Sequence, residues 1–218
     1  MKWLLLFLVP VLLGAGPSPQ AEVLRPLFLE VQKQHWNACS LPWTMAGQVE
    51  QESNWKTKAT LKTSRELGRG LGQLTITYKQ DGSERFNTYR DAVRMRALKG
   101  WDWQQDPYHA RFQLTYLVIT DRSHFAVIRP QFGNDKEASA AVLVAYNAGF
   151  GTVLKRIAAA RQAGQARPYL WFGGLDQVRS PGEGVLLYGK DLGDTRNEYP
   201  RKVLQKAEKY RPWWSIEN

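Results

Sequence analysis

Sulfur chemistry is nearly missing from this chain. Cys39 is the one cysteine in 218 residues, which excludes an intramolecular disulfide and leaves the fold to be held by packing. With no histidine beside it in sequence, Cys39 reads as a small buried residue rather than a nucleophile. Histidine is scarce too. His35, His109 and His124 never fall four apart with a Glu between, the spacing of a zinc-binding helix. No metal and no cofactor is therefore expected, and neither a glycine-rich phosphate loop nor a serine nucleophile elbow is present. Acidic residues are outnumbered, 20 Asp and Glu against 30 Lys and Arg, for a net charge of +10. That balance suits contact with a polyanion: nucleic acid, an anionic membrane surface or an acidic wall polymer. The basic residues are scattered, with no helix-turn-helix or zinc-knuckle pattern between them, so nucleic acid is not the expected partner.

What is present first is an export signature. Met1-Lys2 starts positive, Trp3 to Leu13 is an almost unbroken apolar run, and Gly14 to Ala21 is a small-residue exit. The run is shorter than the roughly 20 residues that an untilted membrane helix needs, which favours cleavage over a permanent anchor. Residues 1–21 are read as a signal peptide or N-terminal anchor and residues 22–218 as one domain. Export to the periplasm or cell envelope follows, with membrane association through the N-terminal segment left open. Hydrophobic residues make up 43% of the chain, enough for one sizeable core.

The pattern along the rest is mainly helical. Leu24, Leu27, Phe28, Val31 and Trp36 keep close to helical spacing, and Asn37 to Ser40 breaks it. Ser40 is placed to cap a second helix from near Pro42 to about Trp55. Thr57 to Gly70 is polar and glycine-bearing and reads as a loop. After the Asp81-Gly82 turn, Phe86, Tyr89, Ala92, Val93 and Met95 suit a helix. Asp106-Pro107 opens another, carrying Ala110, Leu114, Leu117 and Val118. Asn134-Asp135 and Gly149 bracket a strongly apolar helix from Ala138 to Ala148. Pro168 to Gly193, rich in glycine and aromatics, is long for a structureless loop and is expected to serve the site as a cleft wall. Arg201 to Tyr210 reads as a short final helix. Trp55, Trp101, Trp103, Trp171, Trp213 and Trp214 are expected to be mostly core or loop anchors.

One carboxylate stands out. Taking about 100° per residue from Met45, Val49 falls at about 40° and Glu52 at about −20°, while Glu50 falls at about 140°. Glu52 therefore shares the apolar face and Glu50 points elsewhere. A carboxylate on a buried helix face costs free energy unless it is paired, protonated or used, so Glu52 is the candidate general acid or base.

Four strings in order give that residue a context. Glu52-Ser53 is followed after five residues by Ala59; then come Gly70-Leu71-Gly72-Gln73, Ala145-Tyr146-Asn147-Ala148-Gly149, and Asp194-Thr195-Arg196-Asn197-Glu198-Tyr199. From about Ser40 to Val203 this resembles the lytic transglycosylase domain of the soluble type, a relative of goose-type lysozyme. Gly72 stands where that family has Met, and the last string carries one residue more than Glu-Thr-x-x-Tyr. The resemblance implies a lysozyme-like domain that cleaves the β-1,4 bond between N-acetylmuramic acid and N-acetylglucosamine in peptidoglycan glycan strands. In such a site one Glu, here Glu52, acts first as acid and then as base, and the products carry 1,6-anhydromuramic ends. Ser53 and Gln73 would then orient sugar or carboxylate, Tyr146 and Asn147 would line the site, and Tyr199 would approach Glu52. Two alternatives stay open: a lysozyme-type hydrolase on the same fold, which needs a second carboxylate roughly 5–9.5 Å away, and a non-catalytic glycan-binding or assembly module. Work beside a secretion or lysis machinery is compatible with either enzyme.

Overall fold

The computed structural model describes residues 16–165, 169–179, 183, 186–187 and 190–215. The apolar run of the export signature lies outside the described residues, as does much of the stretch from 180 to 189. Seven helices are described: α1 (Pro19–Trp36), α2 (Trp43–Ser53), α3 (Thr88–Ala92), α4 (Ala110–Ile128), α5 (Asp135–Ala148), α6 (Phe150–Gln162) and α7 (Leu192–Ala207). Between α2 and α3 lies an antiparallel sheet of β1 (Thr60–Lys62), β2 (Glu66–Arg69), β3 (Leu74–Tyr78) and β4 (Glu84–Asn87), in that spatial order. A 3₁₀ helix over Glu208–Trp214 ends the fold. The protein is mainly α with a small four-stranded sheet and a two-stranded ribbon of Leu186–Leu187 with Lys190–Asp191. No described helix is long and apolar enough to cross a membrane.

The helices begin where local chemistry lets them. Asn134 caps α5 by accepting the Glu137 amide at 3.0 Å, and Gly149 leaves the helix at φ 86°. Ser18 caps α1 from Ala21 N, so this helix starts at Pro19, inside the stretch read as the signal exit, and Ala21 is fully buried. Ser40 does not cap α2; its hydroxyl turns to Asp135, and α2 starts after Pro42 with no side-chain cap.

Three departures from the sequence pattern have physical causes. The stretch 57–70 is a hairpin rather than a loop, because β3 supplies the partner: Leu67 pairs with Ile76 and Gly68 with Thr75. Phe86, read as helical, lies instead in β4, which extends the sheet over 84–87, and Asn87 then starts α3 by accepting the Tyr89 amide at 3.0 Å. The last helix begins at Leu192, capped by Asp191, and runs through Pro200. That proline forfeits one helical hydrogen bond and is kept because it lies buried in the packing.

Packing divides into contiguous clusters. Phe28 and Val31 of α1, Met45 and Val49 of α2, and Leu114, Leu117 and Val118 of α4 bury together with Trp55, Tyr210 and Trp213. Val142, Val144 and Ala145 of α5 pack on Val153 and Ile157 of α6, closed over by Tyr169, Trp171 and Leu175. The described part of the 168–193 segment covers the core of α5 and α6 and is not among the residues lining the cavity at Glu52, while the rest of the stretch expected to form a cleft wall lies outside the described residues. The sheet sits over Tyr89, Leu98 and Trp101.

Candidate active site

Helix α2 is cut short just past Glu52. Asn54 closes it at φ 50° with its N–H on the Glu50 carbonyl, and Trp55 follows at φ 61°. Two successive left-handed residues without glycine are strained, and the Trp55 ring holds them. It is buried to 1% exposure and its Nε1 donates to Tyr210 Oη at 2.8 Å. The chain therefore turns away and leaves the last turn of α2 facing a cleft of about 320 Å³. Glu50, Glu52, Ser53, Gln73, Lys206 and the β1 edge at Thr60 and Leu61 line it.

Glu52 is half-buried, and its carboxyl is the chemically distinctive group. Burial raises its pKa from 4.5 to about 7, and the hydrogen bond from Tyr199 Oη to Oε1 acts in the other direction. Its place in the last turn of a helix, where carbonyl ends collect negative potential, also disfavours charge. Tyr199 is a firm donor: burial, then the Glu52 charge, push its own pKa well up. Glu50 is used otherwise, its carboxylate held by Lys209 at 2.8 Å and Tyr210 Oη at 2.5 Å.

The approach of Tyr199 is built by two contacts of α7. Where α7 crosses α2, a Cβ on Gly47 would stand 2.7 Å from the Val203 carbonyl and 2.8 Å from Ala207 Cα. Farther up, Arg156 of α6, fully buried, donates to Asn197 Oδ1 at 2.6 Å and pairs with buried Glu183 at 2.7 Å. Arg196 joins the same carboxylate at 3.1 Å. The node ties the first half of α7, just ahead of Tyr199, to α6.

The turn between β2 and β3 brings Gln73 to the cleft. Gly70 at φ 74° and Gln73 at φ 47° form it, and Gln73 Nε2 donates back to the Gly70 carbonyl at 3.0 Å. Fully buried Gln113 of α4 stitches the turn down: Oε1 accepts Gly72 N at 3.0 Å, and Nε2 donates to Arg69 O at 3.1 Å and Pro107 O at 2.7 Å. Tyr146 Oη donates to the Gly72 carbonyl at 2.8 Å. A Cβ at Gly72 would stand 2.8 Å from that hydroxyl, so the close approach requires glycine.

Of the six residues singled out in the sequence, Glu52, Ser53 and Gln73 line one cleft, Tyr199 reaches Glu52, and Tyr146 supports the turn from beneath. Ser53 gives its proton to the Val49 carbonyl at 2.9 Å. Asn147 is exposed at the end of α5 and does not line this cleft. Cys39 has its thiol pushed up to about 12 by burial, which leaves no thiolate.

Sequence reasoning missed a second carboxyl. Asp121 of α4 is 2% exposed, and the Glu52 charge acts on it. The helical count that picked out Glu52 also finds Asp121, because Leu114, Leu117, Val118 and Asp121 share one buried face. Gln113 and Arg156 were missed for the same want of a motif. No known family model matches the chain, and no curated protein matches it. The functional reading therefore stands on the residues and their geometry.

Proposed function

We propose that the protein is a peptidoglycan lytic transglycosylase of lysozyme-like fold, with Glu52 as its one general acid and base. The observation that carries this reading is the state of Glu52: a carboxyl at an open cleft, held protonated up to about pH 7 by burial and touched by a buried tyrosine hydroxyl. A group with that midpoint is poised to give and take a proton near neutral pH.

In the proposed reaction the Glu52 carboxylic acid protonates the glycosidic oxygen as the bond to muramic C1 breaks. The Glu52 carboxylate so formed, stabilised by the Tyr199 hydroxyl, takes the proton of the C6 hydroxyl. The C6 oxygen closes on C1, giving the 1,6-anhydro sugar and returning Glu52 to its acid form. No water is consumed. A water-using hydrolase is less well supported, because the other carboxylate in the cleft, Glu50, is neutralised by Lys209, and Asp121 is sealed in the interior. The positive balance of the chain favours contact with an anionic wall polymer.

Mass spectrometry of fragments released from purified peptidoglycan tests the proposal. Wild type should release anhydro-muramic ends, one water lighter than reducing ends, and Glu52→Gln should release none. Reducing ends would make the protein a hydrolase, and no release by wild type would leave a binding module.

A further inference from the structure

Behind Glu52 the interior is polar where a helix contact calls for hydrocarbon. One turn earlier on α2, on the same face, Gln48 is fully buried, and the buried Asp121 of α4 lies within its reach. The Gln48 amide acts on the Asp121 carboxyl, yet neither polar atom of Gln48 nor Asp121 Oδ1 completes a hydrogen bond within the described protein. Two polar side chains so deeply buried are expensive unless they satisfy one another.

The surroundings decide the charge state. Cys39 from the turn before α2, Tyr116 on α4 itself, Tyr146 of α5 and Tyr199 of α7 all feel the Asp121 charge, and none is a cation. His124, one turn on along α4, has its pKa lowered by burial, which disfavours its cationic form. Arg122, the next residue, turns away to donate to the His35 carbonyl at 2.8 Å. The groups that act on Asp121 are Gln48 and Glu52, neither of them positive, so burial leaves the carboxyl a neutral acid. The Glu52 charge adds to burial in disfavouring an ionised Asp121, so the proton stays on Asp121 once Glu52 has given up its own. Glu52, open to the cleft and bonded by Tyr199, is the member that lets its proton go.

We propose that Asp121 is a positioning residue for Glu52: its side chain backs Gln48 in the interior, and Gln48 so held steadies the face of α2 on which Glu52 stands one helical turn away. This rests on Glu52 being the acid and base of the proposed function. Asp121 is not itself catalytic, since it never meets the cleft.

Carbon-13 NMR of the side-chain carboxyls of the full chain, beside kinetics on purified peptidoglycan, tests it. In wild type Glu52 should titrate with a midpoint near 7, while Asp121 keeps the shift of an undissociated acid. Asp121→Leu should lower kcat about tenfold with KM held within about twofold, and raise the Glu52 midpoint by about half a unit or more. Asp121→Asn keeps a donor for Gln48 and should restore both readouts most of the way. Gln48→Met, similar in shape, should reproduce the loss even if the leucine variant does not fold. An Asp121 that ionises before Glu52, or a Gln48→Met variant matching wild type in kcat and midpoint, overturns the proposal. The titrations need no turnover: if wild type releases no sugar fragments, the proposed function fails while the titration and midpoint readouts still decide the Asp121–Gln48 pair.

Discussion

A carboxyl whose pKa rises from 4.5 to about 7 on folding holds its proton more tightly in the native state. Stability therefore falls as pH rises through that window: below about pH 4.5 both states are protonated and nothing is lost, and above about pH 7 the full cost is present. The sign is opposite to that of a salt-bridged aspartate. A shift of this size corresponds to about 3 kcal/mol. Glu52→Gln removes the charge and keeps an acceptor for Tyr199, so it should raise Tm by roughly 5–10 °C at pH 8.5 in a domain of this length and leave it nearly unchanged at pH 4. Calorimetry at the two pH values measures this; an equal gain at both would mean that the carboxyl is not what burdens the fold. Glu52 was legible in the sequence because a helical count puts it on the apolar face and a motif surrounds it. Asp121 passes the same count without a motif, and its meaning appears only when α4 is laid against Gln48.

At the scale of elements, the site depends on how closely two helices cross. Gly47 lets the α7 backbone come within contact of α2, and that crossing brings Tyr199 from a distant part of the chain to Glu52. Gly47→Ala should force the helices apart at a cost of about 1–3 kcal/mol, typical of overpacking. Activity should fall further than stability does, because the Tyr199 hydroxyl withdraws from the carboxyl. Urea unfolding beside kinetics at a temperature where both proteins are folded checks this, and a variant that is destabilised but fully active would show that the crossing does not serve the site. Elements with strong local signals, such as α5 with Asn134 and Gly149 at its ends, could be read directly. The sheet could not: β1 is three exposed residues with no alternation, and it exists only because β2 pairs with it. Nor could the start of α7, since Pro200 reads as a stop until its burial is known.

The two described ends of the chain meet beneath the cleft. Phe28 of α1 packs edge-on against Trp55 at 5.5 Å between ring centroids, and Trp213 of the closing 3₁₀ helix lies 5.6 Å from Trp55 and 4.8 Å from Tyr210. Trp213 Nε1 also reaches Glu22 at 3.2 Å, tying the last turn to the first helix. Trp55 is the hinge of this cluster, since its ring anchors the left-handed pair that ends α2 one step beyond the Glu52-Ser53 pair. The aromatic closure thus joins global stability to the geometry of the site, with Tyr210 bridging Trp55 and the carboxylate of Glu50. Trp213→Ala removes the ring that touches both chain ends and should cost about 3–5 kcal/mol, the usual range for deleting a buried aromatic. The loss should reach the cleft through Trp55: Asn54 and Trp55 relax toward ordinary backbone angles, α2 frays at its last turn, and Glu52 becomes more hydrated. Hydration lowers a carboxyl that burial had raised, so the alkaline limb of the pH–rate profile should move down from about 7 in the folded variant. Chemical denaturation gives the first quantity and the profile at a temperature below the variant's unfolding gives the second. A variant that loses stability with the limb unmoved would show that the strained turn at Asn54 and Trp55 holds its shape without the aromatic cluster.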